Sequence, residues 1–230
     1  MSSLFTYYQS SIGKKQVVAV TGLMLIIFIL GHLAGNLLIF LGPEAFNGYA
    51  KKLAGLRPGL LVVEFALGLV FLTHILTTAL LVLQNIAAKG GAGYAVKKMK
   101  GAPSLAVRVM PYTGSVIFLF LVFHLLDFTF SDHHGDKSVL WDGQSYGLYG
   151  VVVNAFADPL HSSLYVLAMF ALAFHLAHGV QSFMQTFGFN HPRYTPALQR
   201  ISNYFALFIA LAYSSIPVYV YNLAQSQAAP

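Results

Sequence analysis

Five long apolar runs constrain the fold of this chain more than any other sequence feature. Each is long enough for a helix that crosses a bilayer, which needs about 20 residues for a hydrocarbon core of about 30 Å. The runs are continuous and do not alternate between apolar and polar residues, so spanning β-strands are not expected. Only 9% of the 230 residues are charged and 57% are hydrophobic, whereas soluble domains carry about 25% charged residues. The predicted helices are 15–41, 58–86, 111–130, 159–187 and 201–223.

Prolines accompany four of these runs. Pro58, Pro111 and Pro159 are predicted in the first turn of their helices, where the missing N–H costs nothing and the fixed φ helps. Pro217 lies inside the fifth run and is expected to kink it. No linker or second domain is recognisable, so we predict one all-α membrane domain over residues 1–230.

The distribution of basic residues predicts the orientation of the chain in the membrane. The connections on one side of the predicted bundle carry most of the Lys and Arg, and the positive-inside rule places that side in the cytoplasm. The N-terminus is then inside and the C-terminus outside. The net charge of +6 is therefore interpreted as an orientation signal, and no nucleic-acid partner is expected. The basic residues of the predicted inner side are Lys14, Lys15, Lys89, Lys97, Lys98, Lys100, Arg108, Arg193 and Arg200.

The absence of cysteine limits the cofactors that this chain can hold. It excludes disulfides, iron–sulfur clusters ligated by this chain and covalent c-type haem attachment. Histidine, with nine residues, remains as the obvious ligand for a metal or a haem.

Four of the histidines lie deep inside four different apolar runs. The segments TGLMLIIFILGH (21–32) and TGSVIFLFLVFH (113–124) share a Thr-Gly step and end in His32 and His124, which predicts one depth for both. His74 and His175 each follow a proline by 16 residues (58 to 74 and 159 to 175), which predicts a second depth nearer the inner face. The two levels should lie on the order of 15 Å apart. The Thr-Gly step is either a packing contact or a border of the inner site.

Ionisable residues at this depth are costly and are usually functional. Two bis-histidine haems, an outer one on His32 and His124 and an inner one on His74 and His175, fit the two depth-matched pairs. We therefore predict two haem b groups with these four histidines as axial ligands, held in a haem-binding bundle formed by the first four helices. A lone intramembrane histidine is more often an interhelical hydrogen bond, and a multi-pass transporter or channel with a histidine proton relay is the alternative function.

Further polar residues are candidates for roles near these pairs. Glu64, ten residues before His74, is predicted level with the outer pair as a quinone or proton site, and Asp127, one turn beyond His124, is a weaker candidate. Each carboxylate has an ordinary structural explanation as well. His178 is predicted to lie next to a propionate group of the inner haem, at the inner face. Other, weaker candidates are His161 for the outer site and Lys89, Arg108 and Ser182 for the inner face.

Over nearly its whole length the sequence resembles a known family. The family is the five-helix type of di-haem cytochrome b, the protein that anchors succinate:quinone oxidoreductases and fumarate reductases to the membrane. The residues that carry the resemblance are GHLAGN around His32, EAFN at 44–47, VEF followed by His74, the TG…H of the third helix, FHLAHGVQSF around His175, and QRIS at 199–202.

The resemblance implies a function shared with other subunits. It implies haem ligation by one histidine from each of the first four helices, paired first-with-third and second-with-fourth. It also implies a flavoprotein and an iron–sulfur protein at the cytoplasmic face, and electron transfer to or from a quinone, with menaquinone expected. The chain would lie in a bacterial inner membrane and would not oxidise succinate alone. Some members carry a glutamate at the position of Ala173, so transmembrane proton return through that position is not expected here.

Overall fold

The computed structural model describes residues 3–89 and 105–228. The described chain is almost entirely helical. A π-helical turn, Leu125–Thr129, extends the fifth helix, and 3-10 turns occupy Leu37–Leu41 and Asp136–Ser138. The helices are α1 (Ser3–Gln9), α2 (Ser11–Asn36), α3 (Pro43–Ala54), α4 (Gly59–Lys89), α5 (Leu105–His124), α6 (Gly147–Ala157), α7 (Pro159–Thr186) and α8 (Thr195–Ala228).

Five of the described helices, α2, α4, α5, α7 and α8, are long and apolar enough to cross a membrane. They correspond to the five predicted runs, and the predicted all-helical bundle is confirmed at this level. α7 begins at Pro159, as predicted, with the Asp158 carboxylate accepting from the Leu160 N–H at 2.9 Å. α2 begins at Ser11, earlier than predicted, because the Ser10 hydroxyl caps it by accepting from the Gly13 N–H at 2.9 Å.

The prediction for Pro111 was wrong. The described part of α5 begins at Leu105, so Pro111 lies inside the helix instead of in its first turn. Proline is tolerated within membrane helices because neighbouring groups satisfy the backbone atoms that it leaves free. α8 likewise runs through Pro217 without interruption, and it starts six residues before the predicted 201.

The best-packed core lies at one end of the bundle, which we call the cap end. There α6 packs on α7 and α8, α3 packs on α6, and Ile39, Val153 and Val220 are almost completely buried. Asn47 joins the two short helices: its side-chain N–H donates to the Tyr146 carbonyl at 2.8 Å, and its oxygen accepts from the Tyr149 N–H at 3.0 Å. The 131–158 connection thus contains a helix fastened by side-chain hydrogen bonds.

The five long helices do not pack equally. α7 contacts α8 and α5 along much of its length, and α2 contacts α4. Only about 6% of the apolar window of α4, and the same share for α5, is buried, compared with 33% for α8. The apolar sides of α4 and α5 therefore remain free for lipid or for another apolar group.

Candidate functional site

The structure brings the four deep histidines together as two pairs. The rings of His32 on α2 and His124 on α5 lie 5.8 Å apart, centre to centre, at 89°. The rings of His74 on α4 and His175 on α7 lie 6.4 Å apart at 64°. Each pair joins the helices that the sequence grouped by depth, first with third and second with fourth.

The two pairs lie at different heights in the bundle. The Thr21 hydroxyl is 3.0 Å from Nδ1 of His74, so His74 lies level with Thr21 on α2. His32 follows Thr21 by eleven residues, which corresponds to about 16 Å along a helix. Thr113 and His124 on α5 repeat this spacing, with Thr113 level with His175. This difference in height between the two pairs agrees with the separation on the order of 15 Å that the sequence predicts.

Aromatic rings surround the first pair, His32 and His124, which we call the aromatic pair. His32 stacks on Phe28 at 5.3 Å, and His124 lies 5.4 to 6.1 Å from three aromatic rings. Nδ1 of His124 is buried without a hydrogen-bond partner in the described part of the chain. The rings that contact His124 are those of Phe120, Phe128 and Tyr165.

Hydroxyl groups contact the second pair, His74 and His175, which we call the threonine pair. Thr21 approaches Nδ1 of His74 at 3.0 Å, and Thr113 approaches Nδ1 of His175 at 3.3 Å. The glycines that follow these threonines also face the rings: a Cβ on Gly22 would lie 3.3 Å from Cε1 of His74, and one on Gly114 would lie 3.5 Å from Cε1 of His175. The Thr-Gly step therefore borders the site predicted as the inner one.

The geometry around both pairs fits a flat group held between two imidazoles. An imidazole–metal bond is about 2 Å long, so two rings on opposite sides of one iron would have centres about 6 Å apart. The observed separations of 5.8 and 6.4 Å match that span. The helices that share a pair, α2 with α5 and α4 with α7, do not pack extensively against each other. Nδ1 of His124 is in addition a buried polar atom that no group in the described part of the chain satisfies.

The two candidate carboxylates have different surroundings. Glu64 is half exposed and forms an ion pair with Arg57 at 3.3 Å, both on the surface of the described chain. Asp127 lies in the π-helical turn after His124, and its side chain is only 19% exposed. The Tyr165 hydroxyl donates to Asp127 Oδ2 at 2.6 Å, and Nε2 of His161 is 3.2 Å from the same oxygen.

The remaining predicted residues are placed as follows. His178 is partly buried on α7, one turn beyond His175, and its Nδ1 has no partner among the described residues. Ser182 is partly buried one further turn along α7, Arg108 is exposed on α5, and the side chain of Lys89 lies outside the described residues. Gly35, three residues after His32, packs against the Tyr49 ring. A Cβ at this position would lie 2.5 Å from that ring, so the Tyr49 side chain fills the space beside Gly35.

Three buried or partly buried residues make contacts that the sequence did not predict. Tyr165 is buried between Asp127 and His124, and no sequence pattern marks it. Lys14 is buried with its Nζ donating to the Gln9 carbonyl at 2.9 Å and to Gln84 Oε1 at 3.2 Å, although the sequence treated it only as an orientation charge. Tyr213 reaches from α8 to donate to the Ile29 carbonyl at 2.7 Å, beside His32.

The cap end carries a separate polar network outside the membrane-spanning segments. The Gln144 N–H and the Tyr146 hydroxyl both donate to Asp142 and hold the pKa of that carboxyl below its ordinary value, the Gln144 N–H with the larger effect. The same hydrogen bond raises the pKa of Tyr146. Burial raises the pKa of Tyr149. These groups stabilise the connection between α5 and α6 and do not contact the histidine pairs.

The fold and the site together define a multi-pass helical membrane protein with two histidine pairs inside its bundle. Comparison with known proteins adds no narrower class: no family model matches the chain, and no curated protein and no solved structure matches it.

Proposed function

We propose that this chain is a di-haem cytochrome b subunit that anchors a succinate dehydrogenase or fumarate reductase to the membrane. It would transfer electrons between the iron–sulfur subunit of that complex and a quinone. The observation that carries the proposal is the meeting of four histidines from four helices as two pairs at two heights. Other arrangements of buried histidine, such as a zinc site, gather their ligands at one point.

Each pair would hold one haem b through its two imidazoles. Haem iron with two histidine ligands supplies one-electron transfer and leaves no open coordination position. The chain contributes the ligands, fixes their rings and excludes water. At the aromatic pair, the rings around His32 and His124 and the packed cap end exclude water.

The orientation and the partners follow from the sequence. The excess of Lys and Arg at the end opposite the cap supports a cytoplasmic location for that end. The threonine pair would then be the inner one and would receive electrons from an iron–sulfur subunit, beside a flavoprotein subunit, in a bacterial inner membrane. The aromatic pair would exchange electrons with the quinone, for which menaquinone is the expected type.

Quinone reduction consumes protons, so a carboxylate near the aromatic pair would assist it. Asp127 is the better supported of the two candidates because it is partly buried and shares Tyr165 with His124. Glu64 is half exposed, and its carboxylate forms an ion pair with the Arg57 guanidinium. We therefore assign proton delivery to Asp127, with the Tyr165 hydroxyl as its hydrogen-bond donor and Nε2 of His161 nearby at 3.2 Å.

A haem count on the purified complex tests the proposal directly. A pyridine haemochrome assay should find two b haems per chain. Replacement of His32 or His124 by alanine should remove one haem, and replacement of His74 or His175 should remove the other, so that the two sets of variants retain spectrally different haems. His134→Ala, an exposed loop variant, is the control and should retain both.

Absence of haem from the wild-type complex would contradict the proposal. In that case pH-dependent transport in reconstituted vesicles would favour the alternative, a transporter or channel with a histidine proton relay. Loss of the same haem from both sets of histidine variants would contradict the pairing.

A further inference from the structure

The threonine pair is distinguished from the aromatic pair by the hydroxyl groups that face its Nδ1 atoms. Thr21 also lies 2.7 Å from the Val17 carbonyl and 3.2 Å from the Val18 carbonyl. A threonine hydroxyl has one hydrogen to donate, and a carbonyl can only accept. The shorter contact, 2.7 Å to the Val17 carbonyl, favours donation of the Thr21 hydrogen to the backbone, so that toward His74 the oxygen of Thr21 acts as an acceptor.

The direction of the hydrogen bond between Thr21 and His74 determines which nitrogen of His74 carries the proton. Because Thr21 accepts, Nδ1 of His74 must donate, and Nε2 keeps its lone pair. The free Nε2 is then the nitrogen available to a metal.

The same arrangement occurs a second time in the chain. Thr113 lies 3.2 Å from the Val109 carbonyl and 3.1 Å from the Met110 carbonyl, and its oxygen is 3.3 Å from Nδ1 of His175. In both cases the threonine of one helix orients the histidine of its antiparallel neighbour, from α2 to α4 and from α5 to α7. Nδ1 of His124, in the aromatic pair, has no such acceptor in the described chain.

We propose that Thr21 and Thr113 are positioning residues that fix the tautomer and ring orientation of His74 and His175 and thereby lower the reduction potential of the haem that these histidines hold. The inference rests on the proposed function. Histidines that bind metals usually donate their second N–H to an acceptor, which orients the ring and raises its basicity. A more basic ligand stabilises ferric over ferrous iron, so loss of the acceptor should raise the potential of this haem alone.

The two threonines are not expected to contribute equally. The Thr21 oxygen lies 3.0 Å from Nδ1 of His74, whereas the Thr113 oxygen lies 3.3 Å from Nδ1 of His175. Among the described residues neither Nδ1 atom has another side-chain acceptor, so each valine variant should leave an Nδ1 proton without its partner. Because the shorter contact is the better hydrogen bond, we expect the larger change from Thr21→Val.

Redox titration of the intact complex tests the inference. Thr21→Val should retain both haems but raise one midpoint potential, by up to about 59 mV, the one-electron equivalent of a tenfold change in relative affinity for ferric iron. Thr113→Val should move the same midpoint by less. Thr113→Ser and Thr21→Ser keep the hydroxyl and should restore the wild-type values. Thr73→Val is the matched control, because its hydroxyl bonds only the Leu69 carbonyl within its own helix.

The outcomes separate the two proposals. If the wild-type complex contains no haem, the proposed function fails and this inference fails with it. If the wild type contains two haems but both midpoints stay unchanged in the Thr21→Val/Thr113→Val double variant, only the inference fails. A shift confined to the other haem, or an equal shift in the serine variants, would also overturn it. Should a valine variant fail to accumulate, Thr113→Ala and Thr21→Ala remove the same hydroxyls and decide the question by the same titration.

Discussion

The aromatic pair and the threonine pair place two histidine rings at nearly the same separation, 5.8 and 6.4 Å, by different means. Rings of Phe and Tyr enclose the aromatic pair, and they restrict the imidazoles by shape without determining which nitrogen carries the proton. Hydroxyl oxygens contact the threonine pair, and we propose that they determine it. One bundle thus contains two similar sites whose surroundings favour different properties: an apolar, covered site at the cap end and a hydrogen-bonded site toward the other end.

Proton delivery should depend on the surroundings of the aromatic pair alone. Asp127→Asn removes the carboxylate beside Tyr165 and His124, and we expect quinone turnover of the complex to fall by about 10²-fold, in the range of general acid–base catalysis. Both haem spectra should persist. The measurement is succinate-dependent reduction of a menaquinone analogue, with haem content determined on the same sample.

Glu64→Gln is the comparison variant for this test. Its carboxylate is exposed and paired with Arg57, so we expect turnover close to that of the wild type. If Glu64→Gln abolished turnover and Asp127→Asn did not, the assignment would have to be reversed.

Stability at the cap end should affect the aromatic pair before the threonine pair. Asn47→Ala removes two hydrogen bonds between α3 and α6 and leaves the Tyr149 N–H and the Tyr146 carbonyl without their partners. We expect a loss of about 1–3 kcal/mol in the free energy of unfolding, the usual cost of leaving partly buried polar groups unpaired. Thermal unfolding of the purified complex, followed by the absorbance of each haem, measures this.

Asn222→Ala provides the control for this loss. Asn222 is exposed and donates only to the Val218 carbonyl within α8, so its removal should have little effect. Simultaneous loss of both haem signals in Asn47→Ala would show that the cap does not protect the aromatic pair selectively.

The sequence predicted the five long helices because lipid imposes a length and a composition that can be counted directly. It grouped the four histidines by depth because residues on a regular helix advance by a constant rise. The Thr-Gly steps were visible as a repeat, but their contact with His74 and His175 depends on which helices are neighbours, and spacing along one helix cannot supply that. Tyr165 and Asn47 act across 38 and about 100 residues, respectively, and no local pattern marks either contact.

The weakest expected effect concerns pH at the cap end, far from both pairs. The pKa of Asp142 is lower in the folded chain than its ordinary value of 3.8, because the Gln144 N–H and the Tyr146 hydroxyl donate to the ionised carboxylate. A lowered folded-state pKa means that the stabilisation is present above the unfolded pKa and is lost as the pH falls through the folded-state pKa. Proteolysis within 131–146 should therefore accelerate below about pH 4 in the wild type. Asp142→Asn lacks this titration and should show less acceleration of proteolysis at low pH. Asp158→Asn, the control at a different loop position, should show the same acceleration as the wild type. Equal acid sensitivity in Asp142→Asn and the wild type would show that the Asp142–Tyr146 contact does not stabilise the connection.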